Sequence, residues 1–142
     1  MGKMAIVYWS GTGNTQAMAE AVLAGAQDAG AEVQMMSAAE FDASTLASYD
    51  AVAFGCPAMG AEVLEEDEFA PLFDACKPGL QGKPIALFGS YGWGDGEWMR
   101  NWEQDCVAAG AKLVCDSVIC CEAPDDEALS ACCSLGAMVA AN

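Results

Sequence analysis

Six residues near the amino end constrain the fold of this chain more than any other stretch. They are Ser10, Gly11, Thr12, Gly13, Asn14 and Thr15. They follow the apolar residues 5–9, which are typical of a buried strand, and precede residues 16–23, whose pattern predicts a helix. A strand, a glycine-rich turn and a helix in that order direct backbone N–H groups and the positive end of the helix dipole at one point. The sequence therefore predicts an anion site, and a phosphate fits it best.

The turn also allows a purely structural interpretation. Asn14 or Thr12 can cap the helix while the remaining residues form a tight turn. The stretch contains no Lys, and it matches neither GxxxxGK[ST] nor GxGxxG. If it binds a ligand, we therefore expect a monophosphate held by N–H and hydroxyl donors rather than a nucleoside triphosphate with its metal.

Apolar runs and amphipathic segments alternate along the chain. We predict strands over residues 4–9, 31–36, 51–55, 85–89 and 111–120, and helices over 14–29, 66–77, 97–109 and 125–141. The 142 residues contain no repeat and no linker, so we expect one domain. Alternation of strand and helix predicts an α/β fold, with a parallel sheet covered by helices on both faces.

Two further loops are rich in glycine. One contains Pro57, Ala58, Met59, Gly60, Ala61 and Glu62, and the other contains Ser90, Tyr91, Gly92, Trp93 and Gly94. With the first turn, they follow strands one, three and four, so all three emerge at the carboxyl edge, where such sheets bind ligands. Met59 and Trp93 each stand beside glycine, as suits side chains that cover a flat ligand. A planar aromatic molecule with a phosphate tail fits, and flavin mononucleotide (FMN) is one.

The charge of the chain restricts its partners. There are 21 acidic and 5 basic residues and no His, giving a net charge of −16. Nucleic acid and anionic membrane surfaces are poor partners for such a field, whereas a basic protein would be attracted. A generally acidic protein without any such partner is the alternative. No apolar run approaches membrane-spanning length and no amino-terminal signal is visible, so we expect a cytoplasmic protein.

Eight cysteines form no CxxC pair. In a cytoplasmic chain we expect most of them to be small buried hydrophobic residues rather than disulfide partners. A metal or iron–sulfur site at the cysteine-rich carboxyl end stays open, although its spacings fit no ligand pattern.

Three segments carry a family resemblance. Residues 8–15 (YWSGTGNT), 55–62 (GCPAMGAE) and 87–94 (LFGSYGWG) resemble the flavodoxin family, and specifically its short-chain kind. The resemblance covers essentially the whole chain. It implies a doubly wound, five-stranded parallel sheet in the order 2-1-3-4-5, non-covalently bound FMN, and a one-electron carrier between redox proteins. The many acidic residues lead us to expect a low potential and redox partners with basic docking surfaces, and we expect a monomer.

The resemblance also implies roles for individual residues. The phosphate would sit on residues 10–15 without a cationic side chain, while Met59 and Trp93 would cover the two faces of the flavin ring. Glu62 matches an acid that binds the flavin N3 edge, and Gly92 lies in the loop whose backbone reaches the pyrimidine oxygens. The set of cofactor-binding residues then comprises Trp9, Ser10, Gly11, Thr12, Gly13, Asn14, Thr15, Pro57, Ala58, Met59, Gly60, Ala61, Glu62, Ser90, Tyr91, Gly92, Trp93 and Gly94.

Two positions depart from the family pattern. Some relatives have a serine that can contact the phosphate where this chain has Pro57, and others have Gly, Asp or Asn where it has Ala61. A different class of function is a flavin-dependent quinone or nitro reductase of similar fold, but 142 residues leave little room for a nicotinamide pocket. A response-regulator receiver would need clustered acids at the end of the first strand, where Ser10, Gly11 and Thr12 stand instead.

Overall fold

The computed structural model describes residues 3–11, 13–59, 63–92, 94 and 96–142. The strands are β1 (Lys3–Tyr8), β2 (Glu32–Ser37), β3 (Ala51–Gly55), β4 (Pro84–Tyr91), β5 (Lys112–Leu113) and β6 (Val118–Cys121). The α-helices are α1 (Asn14–Asp28), α2 (Phe69–Cys76), α3 (Glu97–Ala108) and α4 (Asp126–Ala140). Short 3-10 helices span Ala43–Ser48 and Lys77–Gly79.

The strands form one sheet in the order β2-β1-β3-β4-β5, and β6 also pairs with β4. Every strand pair is parallel. The predicted order 2-1-3-4-5 is confirmed. Because all strands run the same way, the loops that follow β1, β3, β4 and β6 emerge at one carboxyl edge of the sheet.

The fifth strand is divided, so the prediction of one strand over residues 111–120 is wrong. β5 pairs with the start of β4 at Pro84, and β6 pairs with its end from Phe88 onward. Asp116 and Ser117, which are poor strand formers, lie between the two segments. The Ser117 hydroxyl donates to Glu103 Oε2 of α3 at 2.7 Å, which draws this part of the chain towards α3.

Alternate strand residues pack on opposite faces of the sheet, as a period of two requires. Val7 and Phe54 face a cluster that includes α2, α3 and the buried rings of Trp98 and Trp102. Ile6 faces a second cluster built with α1 and α4. The prediction that both tryptophans pack in the core is confirmed. Both faces are therefore covered, and the sheet edges remain for function.

α1 and α4 approach each other closely through two glycines. A Cβ atom on Gly25 would overlap the Cys133 carbonyl, and one on Gly136 would overlap the Val22 carbonyl. The absence of side chains at these two positions lets the helix backbones touch.

α2 begins at Phe69, three residues later than predicted. Residues 66–68 form a turn because the Glu65 carboxylate accepts backbone N–H bonds at 2.7–2.8 Å from Asp67, Glu68 and Phe69. The acidic run therefore precedes the helix and caps it, instead of forming its first turn.

All eight cysteines are free thiols, and half of them are buried. Cys56, Cys76, Cys106 and Cys132 fill core positions as predicted. Cys121 is exposed, and Cys115, Cys120 and Cys133 are partly buried. The expectation that most of the cysteines are buried is therefore met by only half of them.

Candidate functional site

The three predicted loops lie together around one cavity at the carboxyl edge. Its volume is about 540 Å³. The lining residues come from each loop in turn: Trp9, Gly11, Asn14, Pro57, Ala58, Met59, Ser90, Tyr91, Gly92, Glu122 and Ala123. The juxtaposition expected from strand order is therefore present, and a fourth loop, between β6 and α4, completes the wall.

The first turn is organised by Ser10 and Gly13. Gly13 is the N-cap of α1 and adopts a left-handed conformation (φ 93°), which favours glycine. Ser10 Oγ accepts from the backbone N–H groups of Gly13 at 3.0 Å and Gln16 at 3.3 Å. Asn14 is the first helical residue, so the alternative in which Asn14 caps the helix is wrong; Thr12 lies outside the described residues. The first amides of α1 face the turn without intrahelical acceptors.

Trp9 and Gly11 form one side of the cavity together. A Cβ atom on Gly11 would lie 3.0 Å from a carbon of the Trp9 ring, so glycine is what lets the turn fold over the indole. The Trp9 backbone N–H donates to the Gly55 carbonyl at 3.0 Å, and its indole N–H donates to Glu68 Oε1 at 3.3 Å. The ring is therefore fixed between β3 and the start of α2.

Thr15 and Ser90 connect the first loop to the third. Their hydroxyl oxygens are 3.3 Å apart, and Thr15 is 1% exposed. The Thr15 side chain therefore points to β4 and is not among the residues that line the cavity. What Thr15 offers to an anion is the N–H of the first helical turn.

Backbone hydrogen bonds fix the second loop. The Ala58 N–H donates to the Ser90 carbonyl at 2.9 Å. Met59 and Val63 exchange two hydrogen bonds, at 2.8 and 3.0 Å, so the residues flanking 60–62 are held together. The Met59 side chain is 36% exposed at the cavity. Gly60, Ala61 and Glu62, which the family resemblance places in the cofactor site, lie outside the described residues.

The third loop continues directly from β4. The Tyr91 ring lies 5.5 Å from the ring of buried Trp98, which anchors the start of the loop to the core. A Cβ atom on Gly92 would have no neighbour within 4 Å, and Gly94 has a φ of 87°. Trp93 lies outside the described residues.

Glu122 and Ala123 were missed by the sequence analysis. Glu122 has a φ of 59° and is the one non-glycine residue at positive φ in the described part of the chain. Its N–H donates to the Tyr91 carbonyl at 2.7 Å. The signal was available, because the loop after the fifth strand must emerge at the same edge as the other three. It carries no glycine or aromatic residue, and so it did not stand out.

Basic side chains are concentrated at the opposite edge of the sheet. Lys3 and Lys112 begin β1 and β5, Lys83 precedes β4, and Lys77 follows α2. Arg100, in the first turn of α3, lies towards the carboxyl edge, with a guanidinium nitrogen 3.9 Å from where a Cβ on Gly96 would sit. None of the described residues that line the cavity is basic. An anion there would be held chiefly by N–H and hydroxyl donors.

Glu65 places a buried carboxylate close behind the second loop. It is 5% exposed. Burial alone would raise its pKa, but the backbone N–H groups of Phe69, Glu68 and Asp67 outweigh burial and lower that pKa below its ordinary value. The acid therefore stays ionised as the cap of α2. Burial, the largest cause, also raises the pKa of the neighbouring Cys56 thiol to about 12, so this thiol is protonated and inert.

Neither a membrane span nor a metal cluster is found in the described ranges. No helix there is long and apolar enough to cross a bilayer. No group of three or more His, Cys, Asp or Glu side chains in the same ranges is arranged to hold a metal ion.

Known proteins resemble this chain over nearly its full length. Residues 6–136 match the family model described as flavodoxin. Flavodoxin of Megasphaera elsdenii is 46% identical over 121 residues, covering 85% of this chain and 88% of that protein. Flavodoxin of Clostridium beijerinckii is 43% identical over 137 residues, covering 96% and 99%. The solution structure of two-electron reduced Megasphaera elsdenii flavodoxin superposes with a TM-score of 0.90 at 43% identity, covering 98% and 99%.

These relatives match the chain in length as well as in sequence. They favour an electron-transfer protein over the quinone or nitro reductase considered above. The chain belongs to the flavodoxin family and is a one-electron carrier that uses FMN.

Proposed function

We propose that the cavity at the carboxyl edge is the FMN site, with the phosphate on residues 10–15 and the flavin ring between the second and third loops. The observation that carries this proposal is that all three loops line one cavity of about 540 Å³. That volume falls within the range of roughly 300–1,000 Å³ found for small-molecule sites.

The phosphate end follows from the geometry of the first turn. Ser10 Oγ already accepts two N–H bonds, so its own proton is available to a ligand oxygen. The amino terminus of the 15-residue helix α1 adds a positive dipole end and unpaired amides. These donors suit a dianion without requiring a Lys or Arg.

The ring end combines apolar and polar walls. Trp9, Pro57 and Met59 supply apolar surface, and the backbones of Ala58 and Gly92 line the cavity without bulky side chains. Pro57 has no N–H and no hydroxyl, so it acts as a wall rather than a phosphate donor. The roles of Met59 and Trp93 on the two ring faces, and of Gly60, Ala61 and Glu62 at its edge, remain part of the proposal.

We propose a low potential for the bound cofactor because of the charge around it. FMN supplies the one-electron redox centre when it is bound, while the chain binds and orients it and excludes water. Glu68 hydrogen-bonds to the cavity residue Trp9, and Glu122 lines the cavity itself. Negative charge added to a ligand beside these carboxylates is destabilised, because the apolar walls screen less than water does.

The same charge suggests how the carrier meets other proteins. An acidic carboxyl edge, in a chain of net charge −16, favours redox partners with basic docking surfaces and accelerates their approach at low salt. We propose that the chain works as a monomer in the cytoplasm.

The test compares FMN with riboflavin, which has the same ring but no phosphate. We expect quenching of flavin fluorescence to show that FMN binds about 100-fold more tightly, as a charge-assisted anion site implies. Ser10→Ala should reduce the ratio of FMN affinity to riboflavin affinity. Ser130→Ala, a substitution at an exposed residue of α4, should leave that ratio unchanged. Equal affinity for the two flavins would refute the phosphate site.

A further inference from the structure

A second and larger cavity lies beside the FMN cavity. It measures about 830 Å³ and forms a groove between β6 and α4. Ala128, Ala131 and Ser134 leave the α4 wall open because their side chains are small. Leu135 and Met138 add apolar surface, and Met138 is 50% exposed. The groove accompanies the division of the fifth strand, since residues 115–117 form part of its wall.

The edges of this β6–α4 groove are acidic. Asp116, Asp125 and Glu127 are among its lining residues. No Lys or Arg is present among the described residues that line it. An apolar side chain would fit the centre of the groove, while cationic groups on the same partner would be attracted to the carboxylates around it.

The groove is continuous with the FMN cavity. Tyr91 and Ala123 line both. A segment bound in the groove would therefore contact the wall of the FMN cavity, and the redox centre of its protein could approach the cofactor closely. Met138 suits contact with an apolar side chain of the partner, because its flexible thioether adapts to side chains of different shape.

We propose that the β6–α4 groove is the docking site for the basic redox partner, which inserts into it an apolar side chain flanked by Lys or Arg. This rests on the proposed function, and it identifies which part of the acidic surface is occupied. During the encounter, one electron passes from the two-electron-reduced carrier to the partner's oxidised centre, and the carrier retains the second electron. The groove holds the partner and takes no part in the transfer itself.

The probe is a basic cytochrome c, whose ferric haem accepts one electron and becomes ferrous. Ser134→Arg places a long cation in the groove from an exposed position on α4. Ser130→Arg is the matched control, because it makes the same change on the same helix at an exposed residue that does not line the groove. The bimolecular rate constant is measured by anaerobic stopped flow with dithionite-reduced carrier at low and high salt.

We expect Ser134→Arg to lower the rate constant of cytochrome reduction about tenfold or more relative to Ser130→Arg. The arginine side chain would occupy the groove and would also repel the cationic groups of the cytochrome. The added charge alone should cost Ser130→Arg about twofold to threefold at low salt. Both variants should bind FMN as the parent does. Both should also reduce a small uncharged quinone at the parent rate, since such an acceptor needs no docking groove.

Several outcomes would overturn the inference. Equal loss in the two variants would mean that charge acts without occupation of the groove. A parent that reduces the quinone but not the cytochrome would show that a basic protein is not a redox partner of this carrier. A concentration-dependent dimer in the parent that Ser134→Arg abolishes would show that a second copy fills the groove. Failure of the parent to bind FMN would instead refute the proposed function, and the titration detects that separately.

Discussion

Glu122 shows at the scale of one residue how the backbone can shape the site. Its φ of 59° is a conformation that a side chain with a Cβ adopts at a cost of roughly 1–2 kcal/mol. The hydrogen bond from its N–H to the Tyr91 carbonyl holds this conformation at the cavity wall. Backbone strain of this kind tends to be retained where a site needs it.

We therefore expect Glu122→Val to weaken FMN binding about tenfold, because a β-branched side chain resists the left-handed region. Glu122→Asn should stay within about threefold of the parent, since Asn tolerates that region. Both changes remove the charge of Glu122, so a difference in FMN affinity between the two variants reports the effect of the backbone conformation. Dissociation constants from flavin fluorescence measure the effect, and urea unfolding of the FMN-free forms checks the fold. Equal weakening in both variants would assign the effect to loss of the Glu122 side chain rather than to the backbone.

At the scale of the element, the start of α2 depends on a single carboxylate. Glu65 accepts three backbone N–H bonds that the helix itself cannot pair, at the junction between the second loop and α2. Burial acts to raise the pKa of Glu65, but hydrogen bonds to the ionised form together outweigh it and lower the pKa from its ordinary value of 4.5. The stability it contributes is therefore present above about pH 4.5 and is lost as the pH falls through the lower folded-state pKa.

We expect Glu65→Gln to reduce the free energy of unfolding at neutral pH by about 1 kcal/mol, as is typical of a lost helix cap. The difference from the parent should shrink as the pH falls below the ordinary pKa of a glutamate. Exposed Glu66 is the matched control, and Glu66→Gln should leave the free energy of unfolding nearly unchanged at each pH. Urea titrations across the pH range measure both. A constant difference between Glu65→Gln and parent would contradict an ionised cap.

At the scale of the whole molecule, charge opposes folding while it guides association. The net charge of −16 brings like charges together when the chain becomes compact. The segregation of four of its five basic residues at the amino edge leaves the carboxyl edge with little compensation. We infer that this arrangement lowers the stability of the fold and, in return, produces a negative electrostatic field at the redox site that attracts basic partners.

Salt should therefore stabilise the protein. We expect the free energy of unfolding to rise by roughly 1–2 kcal/mol between about 0.05 M and 0.5 M NaCl, because screening weakens repulsion in the compact state. The rise should be smaller near about pH 4, where many carboxylates are protonated. Urea unfolding at each salt concentration provides the measurement. A free energy that is flat or falls with NaCl would show that self-repulsion is unimportant.

Much of the fold could be predicted because the relevant signals are local. The apolar run at residues 51–55 and the helix that starts at Asn14 were located to the residue, since hydrophobic periodicity and turn chemistry lie within a few positions of each boundary. Glu65 misled the prediction of α2 because acids are typical both of a first turn and of a cap. The three loops were found because glycines mark all of them and aromatic residues mark the third.

The sequence by itself determined the alternation of strands and helices, the acidic charge and the three loops at one edge, because each depends on residues close together in the chain. Only the tertiary structure decided the rest. The Ser117–Glu103 hydrogen bond lies beside the division of the fifth strand, and the Tyr91 carbonyl accepts from the N–H of the left-handed Glu122; each contact joins residues that are far apart in the chain. Such features follow from contacts between elements, which no local pattern encodes.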